Sequence, residues 1–249
     1  MGNKGKLEDV EFMVLSILYT DVAPLGAGTI RELLEERGIA LGEATVGRIL
    51  KRLDSQRFVE RVGFQGRRIS EEGRKRYGEL SLRSVRNKSA EAFIDALKGE
   101  GGQHLHDVLV ARRALESETA ALAARNATLT QVEEMRAILQ EMDILLSSGR
   151  SMAATDREFH KKIARASGNK VLEYALDVIR QNGEDSNLVE FIRCSAGSAI
   201  GRDHKEIFKA IEKKDEDRSR LLMTAHLDNI LEDLNRFEED QRGRTVNAG

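Results

Sequence analysis

The chain has 249 residues, of which 33% are charged and 4% aromatic, with one proline, one cysteine and a formal net charge of −2. That length suits one large or two modest domains, and the shortage of proline and aromatics favours helices over strands. No apolar run approaches the roughly 20 residues that span a bilayer. The N-terminus lacks the apolar core of a secretory signal, and Cys194 has no second cysteine for a disulfide or a cysteine-based zinc site. A cytoplasmic protein without membrane contact is expected.

The charge is unevenly placed. Residues 1–88 hold 17 Lys and Arg against 13 Asp and Glu, and within 48–88 the balance is 13 against 5. The remainder is acidic, 23 against 29. A basic patch confined to one part of an acidic chain points to a polyanion contact made by that part alone.

In chain order, "EDVEFMVLSILYT" (8–20) carries Val10, Met13, Ile17 and Leu18 at helical spacing, and "PLGAGT" follows as a loop. Thr29 is expected to cap a helix over "IRELLEERG" that Gly38 ends. The next helix, "EATVGRILKRLDSQRF", buries Val46, Ile49, Leu50 and Leu53 and leaves Thr45, Arg48, Lys51 and Arg52 on its other face. In "FVERVGFQGRRIS", Gly63 to Gly66 make a turn between two short extended runs, the second holding Arg67 and Arg68. Three helices followed by a basic hairpin describe a winged helix-turn-helix. Its second paired helix would enter the major groove of double-stranded DNA and its hairpin would touch the backbone or minor groove. Thr45, Arg48, Lys51, Arg52, Arg67 and Arg68 are the candidate DNA contacts. Residues 8–80 resemble the winged-helix module of archaeal nitrogen regulators and of ribonuclease R, on the strength of "GTIRELLEERGIALGEATVGRILKRLDSQRFVERVGFQGRRIS" and the "EEGRKRYGEL" helix behind it.

After "LSLRSVRNKSA" (80–90), a candidate linker that is itself compatible with a helix, strand signals stop and helical patterns separated by Gly, Ser, Asn or Asp follow one another. The expected organisation is a winged-helix domain at 1–80, a linker at 81–90 and an all-α antiparallel bundle at 91–249. In such bundles ligand sites are built from side chains on facing helices.

Within the bundle, "DREFHKKIARASGN" sets Asp156 and His160 one helical turn apart on one face. Alone, that spacing fits a surface pair, a core pair or part of a metal site. His204 in "DHKEIFKAI" precedes Ile207, Phe208 and Ile211 at i+3, i+4 and i+7, and His226 in "LLMTAHLDNIL" follows Leu222 and Met223 and precedes Ile230. All three imidazoles therefore face inward, where an unpaired one is costly. With Asp156 they offer a three-nitrogen, one-oxygen donor set for a divalent transition metal, with zinc, nickel and manganese all compatible. Glu158 and Asp203 are expected to point away, His104 and His106 to lie at the surface or cap a helix, and Cys194 to fill a small apolar space.

The stretches "RRALESETAALAARNAT", "DREFHKKIARASGN", "HKEIFKAI" and "HL", in that order over about 90–240, resemble the FCD ligand-binding domain of FadR-type regulators in the GntR superfamily. The resemblance implies a bundle that dimerises and a metal held by Asp156, His160, His204 and His226. It further implies a small carboxylate effector beside that metal, with Arg112 pointing into the same cavity. A guanidinium can hold a carboxylate by two parallel hydrogen bonds. The front of the chain departs from that superfamily: "GTIRELLEER" and "GEATVGRILKRL" stand in place of its usual helix-turn-helix motifs.

The function expected is a metabolite-responsive, homodimeric transcriptional regulator that binds an inverted-repeat operator, and not an enzyme. The alternative is a metal-dependent hydrolase or lyase with a DNA-binding appendage, but the sequence has no HExxH motif.

Overall fold

The computed structural model describes residues 3–181, 183–198 and 200–246. It divides into two compact units, Met1–Ala92 and Phe93–Gly249. Among the described residues no helix is long and apolar enough to cross a membrane.

The first unit is built from α1 (Asn3–Thr20), α2 (Ala27–Glu35), α3 (Glu43–Ser55), strands β1 (Val59–Val62) and β2 (Gly66–Ile69), and the first part of α4 (Glu71–Ala96). Its core joins Leu15 and Leu18 of α1, Ile30 and Leu34 of α2, Leu50 and Leu53 of α3, and Val59 and Ile69 of the hairpin. Helix α2 starts two residues before Thr29, with Gly26 at the N-cap, so Thr29 lies inside the helix and does not cap it. Gly38, at φ +80°, follows its C-terminal turn.

The strands pair antiparallel with Val59 opposite Ile69 and Arg61 opposite Arg67. Leu25 adds one rung on the outer side of β2: its N–H donates to the Arg67 carbonyl (2.8 Å) and its carbonyl accepts from the Arg67 N–H (2.9 Å). That close approach demands glycine at position 66, which has φ +127° and where a Cβ would sit 2.3 Å from the Leu25 carbonyl carbon.

Helix α4 is continuous through 80–90, so the segment read as a linker is a stretch of helix. Nothing between Gly78 and Gly99 breaks it: the intervening residues include no proline or glycine.

The second unit contains α5 (Gly102–Asn126), α6 (Leu129–Ser147), α7 (Ala153–Ala166), α8 (Lys170–Ile179), α9 (Gly183–Ser195), α10 (Ile200–Glu212) and α11 (Glu216–Val246). Helices α5 and α11 pack along each other, and α5 also meets α7, α8 and α10. The buried stripe of α5 runs Leu105, Leu109, Arg112, Glu116, Ala120 and Ala123, a 3–4 residue spacing that puts two charged side chains in the middle of an apolar face. Thr128 and Gln131 form a capping box for α6, and Asn169 caps α8 through the N–H groups of Val171 and Leu172. Helix α9 was not among the helices legible in the sequence. Cys194 at its end is exposed, contrary to the apolar-filler expectation.

Candidate metal centre

Helix α7 contributes Asp156 and His160, α10 contributes His204 and α11 contributes His226. The three imidazoles are buried beside an apolar layer that includes Phe159, Ile207 and Met223. One donor atom from each of the four residues lies within 4.8 Å of every other. Asp156 Oδ1 is 2.9 Å from His204 Nε2 and 3.5 Å from His160 Nε2, and the two Nε2 atoms are 3.3 Å apart. Separations of about 3 to 3.5 Å are what bonds of roughly 2.0–2.2 Å to one common ion produce. His226 Nε2 is buried without a hydrogen-bond partner. A buried lone pair without a hydrogen-bond partner, within 4.8 Å of a carboxylate oxygen and two other imidazole nitrogens, is compatible with a cation between them.

Two carboxylates outside this set lie against the imidazoles. Asp203, expected to point elsewhere, instead lies 3.2 Å from His226 Nδ1, which donates to its Oδ2. Asp203 adjoins His204 in sequence, but its partner stands on a different helix, α11, and helix packing brings the two together. Burial is the main cause that holds His226 down at about 3, with His204 and His160 adding to it. The ring is therefore neutral, with its proton on Nδ1 and its Nε2 lone pair free.

The second carboxylate, Glu116, is buried and lies 2.5 Å from His160 Nδ1. It accepts from Arg112 Nε at 2.8 Å and from Arg180 Nε and Nη2, each at 2.8 Å. Burial alone would raise the Glu116 carboxyl, but Arg180, His160 and Arg112 outweigh it and hold the group well below its ordinary value. Asp156 is held low in the same way, burial being outweighed by His160 and His204. Carboxylates that hydrogen-bond ligating histidines fix ring orientation and tautomer.

Arg112 shares a cavity wall with Asp156, and its Nε is committed to Glu116. Together with Asp156, Ser186, Glu190 and Arg193 it lines a cavity of about 20 Å³, room for about one water. Arg193 comes from α9, is buried, and pairs with Asp203 (3.2 Å) and Asp233 (3.5 Å). Glu190, also on α9, accepts from the Met152 N–H at 2.7 Å and from the Ser151 hydroxyl at 2.5 Å, which caps the start of α7. Glu158 forms no part of the cluster, and His104 stands apart from it, 4.0 Å from Asp185.

In the first unit, Thr45, Arg48 and Lys51 lie on the outer face of α3, and Arg48 donates to the Thr45 hydroxyl. Arg52 is tied to the buried Glu11, which also holds Arg76. Arg67 grips Asp54 of α3 through Nε and Nη2, and Arg68 pairs with Glu60 across the hairpin. Arg61 is exposed on the same hairpin and was not singled out from the sequence.

Residues 107–229 match the FCD domain family, a stretch that contains Arg112 and all four clustered side chains. The chain carries an FCD domain. Residues 12–77 match the ribonuclease R winged-helix domain. The chain is 32% identical over 141 residues to the Uxu operon transcriptional regulator of Escherichia coli K12, covering 53% of this chain and 54% of that protein. It therefore spans about half the length of that relative. It is also 38% identical over 65 residues to the global nitrogen regulator NrpR of Methanococcus maripaludis, covering 26% of this chain and 12% of NrpR. Among solved structures, Streptococcus agalactiae GntR aligns over 91% of this chain and 99% of its own at 21% identity, with a TM-score of 0.46. The two placed matches, 12–77 and 107–229, are to different families.

Proposed function

We propose that the protein is a metabolite-responsive transcriptional regulator whose winged helix binds DNA and whose FCD domain senses a small organic acid at a metal. The observation that carries this reading is the double role of Asp156, which belongs to the four-residue cluster and also to the wall of the Arg112 cavity. Asp156, His160, His204 and His226 would hold a divalent transition metal, with zinc, nickel or manganese compatible with the donor set. The bound ion would supply Lewis-acid affinity for a carboxylate.

Arg112 would neutralise the acid's remaining charge. The cavity of about 20 Å³ is too small for such a ligand as it stands, so entry requires side chains of α9, Glu190 and Arg193 foremost, to move outward. A small acid binds with effect only if it prefers one arrangement of the protein, and that preference sets how far DNA affinity changes. Arg48 and Lys51 would meet phosphates or base edges, and a homodimer would place two such heads on an inverted repeat. A regulator is favoured over a hydrolase or lyase because Glu116, Glu190 and Asp203 already accept hydrogen bonds from neighbours. None of the three is left as a general base.

The test is a thermal-shift screen of organic acids on metal-loaded protein, metal-stripped protein and Arg112→Lys, with operator binding measured in parallel. An acid that raises the melting temperature of the loaded wild type alone and alters DNA affinity supports the reading. Acids that stabilise all three forms equally count against it, as does metal content unchanged in a His204→Ala, His226→Ala double variant.

A further inference from the structure

A second cavity reaches the cluster from another side. It measures about 400 Å³, lies between α7 and α8, and has His160 in its wall beside Arg157, Lys161 and Arg180. Its acidic wall residues are Glu158 and Asp177. That volume is in the range of small-molecule sites, roughly 300–1,000 Å³.

The charges on this wall are unequally matched. Lys161 lies 3.7 Å from Asp177. Arg180 is buried and gives Nε and Nη2 to Glu116, while its Nη1 is buried without a hydrogen bond, 3.5 Å from Asp156 Oδ2. Arg157 is half-buried and has no ion pair or hydrogen bond with a described residue. Glu158 follows it in sequence but projects about 100° further round the helix, so it does not face Arg157. A guanidinium on the cavity wall without a counter-charge is free to take an anion by charge-assisted hydrogen bonds. A small anion in the cavity would supply the missing partner.

We propose that this cavity binds a small metabolite anion bearing a carboxylate or phosphate group, held by Arg157 and Arg180, at a site separate from the Arg112 cavity. The site has a built-in connection to the cluster. Arg180 shares Glu116 with Arg112, and Glu116 lies against His160. An anion that draws Arg180 toward itself weakens its hold on Glu116 and so alters the carboxylate that lies against His160. Two anions at two sites would thereby be read by one domain.

The experiment is isothermal titration of the full-length protein as purified with succinate and, separately, with inorganic phosphate. At least one probe is expected to bind with one site per chain. Arg157→Gln should weaken that binding about tenfold or more, the usual loss for a charged hydrogen bond. Leu176→Trp, which fills the cavity, should remove it. Ser186→Phe, which crowds only the Arg112 cavity, should leave it within about twofold, while abolishing any response that belongs to the Arg112 site. Binding by neither probe overturns the proposal, as does binding that survives both Arg157→Gln and Leu176→Trp. Binding that Ser186→Phe removes also overturns it and assigns the anion to the Arg112 cavity, so the two sites succeed or fail separately.

Discussion

His226 donates from Nδ1 to Asp203 across the contact between α11 and α10, and this single hydrogen bond decides which of its nitrogens faces the cluster. Without it the ring could turn or hold its proton on Nε2, where a ligand needs a lone pair. Replacing Asp203 by Ala is therefore expected to lower metal affinity about 10–100-fold, the usual cost of losing such a partner. Competition against a chelator of known affinity measures it. Unchanged affinity would mean that His226 is not a ligand through Nε2.

Glu116 is the hub of the buried charges, since it meets Arg112, Arg180 and His160 together. Glu116→Gln leaves two buried guanidinium groups facing a neutral amide. Breaking a buried pair from one side costs about 3–5 kcal/mol, a large part of the stability of a typical domain. Urea unfolding of the variant should show the loss as a lower midpoint. A midpoint equal to wild type would mean that solvent reaches these arginines.

Acid should destabilise the metal-free protein. His226 is held at about 3 against an ordinary value of 6.5, chiefly by burial. The unfolded chain therefore takes up that proton first as pH falls. Stability is full above pH 6.5 and is lost as pH falls from there toward 3. Asp203 acts in the same direction lower down: its value of about 2 lies below the ordinary 3.8, so its contribution is present above 3.8 and fades toward 2. Melting temperatures of metal-stripped protein between neutral pH and pH 4 should fall steadily, and a flat profile would contradict a neutral buried His226.

The basic residues of the winged helix should fall into two groups. Arg48 and Lys51 are exposed on α3, so their replacement by Ala should reduce the salt dependence of DNA binding by about one unit of slope per lost phosphate contact, with little change in stability. Arg67 instead ties the hairpin to Asp54 of α3. Arg67→Ala is expected to cost on the order of 1 kcal/mol of folding stability as well. DNA-binding titrations across a salt series, paired with melting curves, separate the two groups. Loss of stability in the Lys51→Ala variant would contradict the division.

The helical periodicities in the sequence were enough to place the winged helix and the inward-facing histidines, because each depends on residues three or four apart on one element. Asp203 and Arg180 were not legible, since their partners belong to other helices and helix crossings leave no trace in local spacing. Glu116 did leave a trace: it stands four residues after Arg112 on an otherwise apolar stripe, where a lone acid would be too costly unless paired. Helix α9 escaped because its buried apolar contribution is small: among its described residues Ile192 is the one counted in the core. Whether 80–90 is helical was open in the sequence, because polar residues without proline or glycine continue a helix as readily as they end one.

The cap that Glu190 provides for α7 comes from 38 residues further along the chain. The opening turn of α7, which holds Asp156, therefore has part of its termination on loan from α9. When α9 opens transiently, the Met152 amide loses its acceptor and that turn can fray. Hydrogen exchange at the start of α7 should then follow the opening of α9 rather than the global unfolding of the bundle. The same event that admits a ligand would loosen one of the residues that receives it, so access to the centre and its rigidity are opposed by construction.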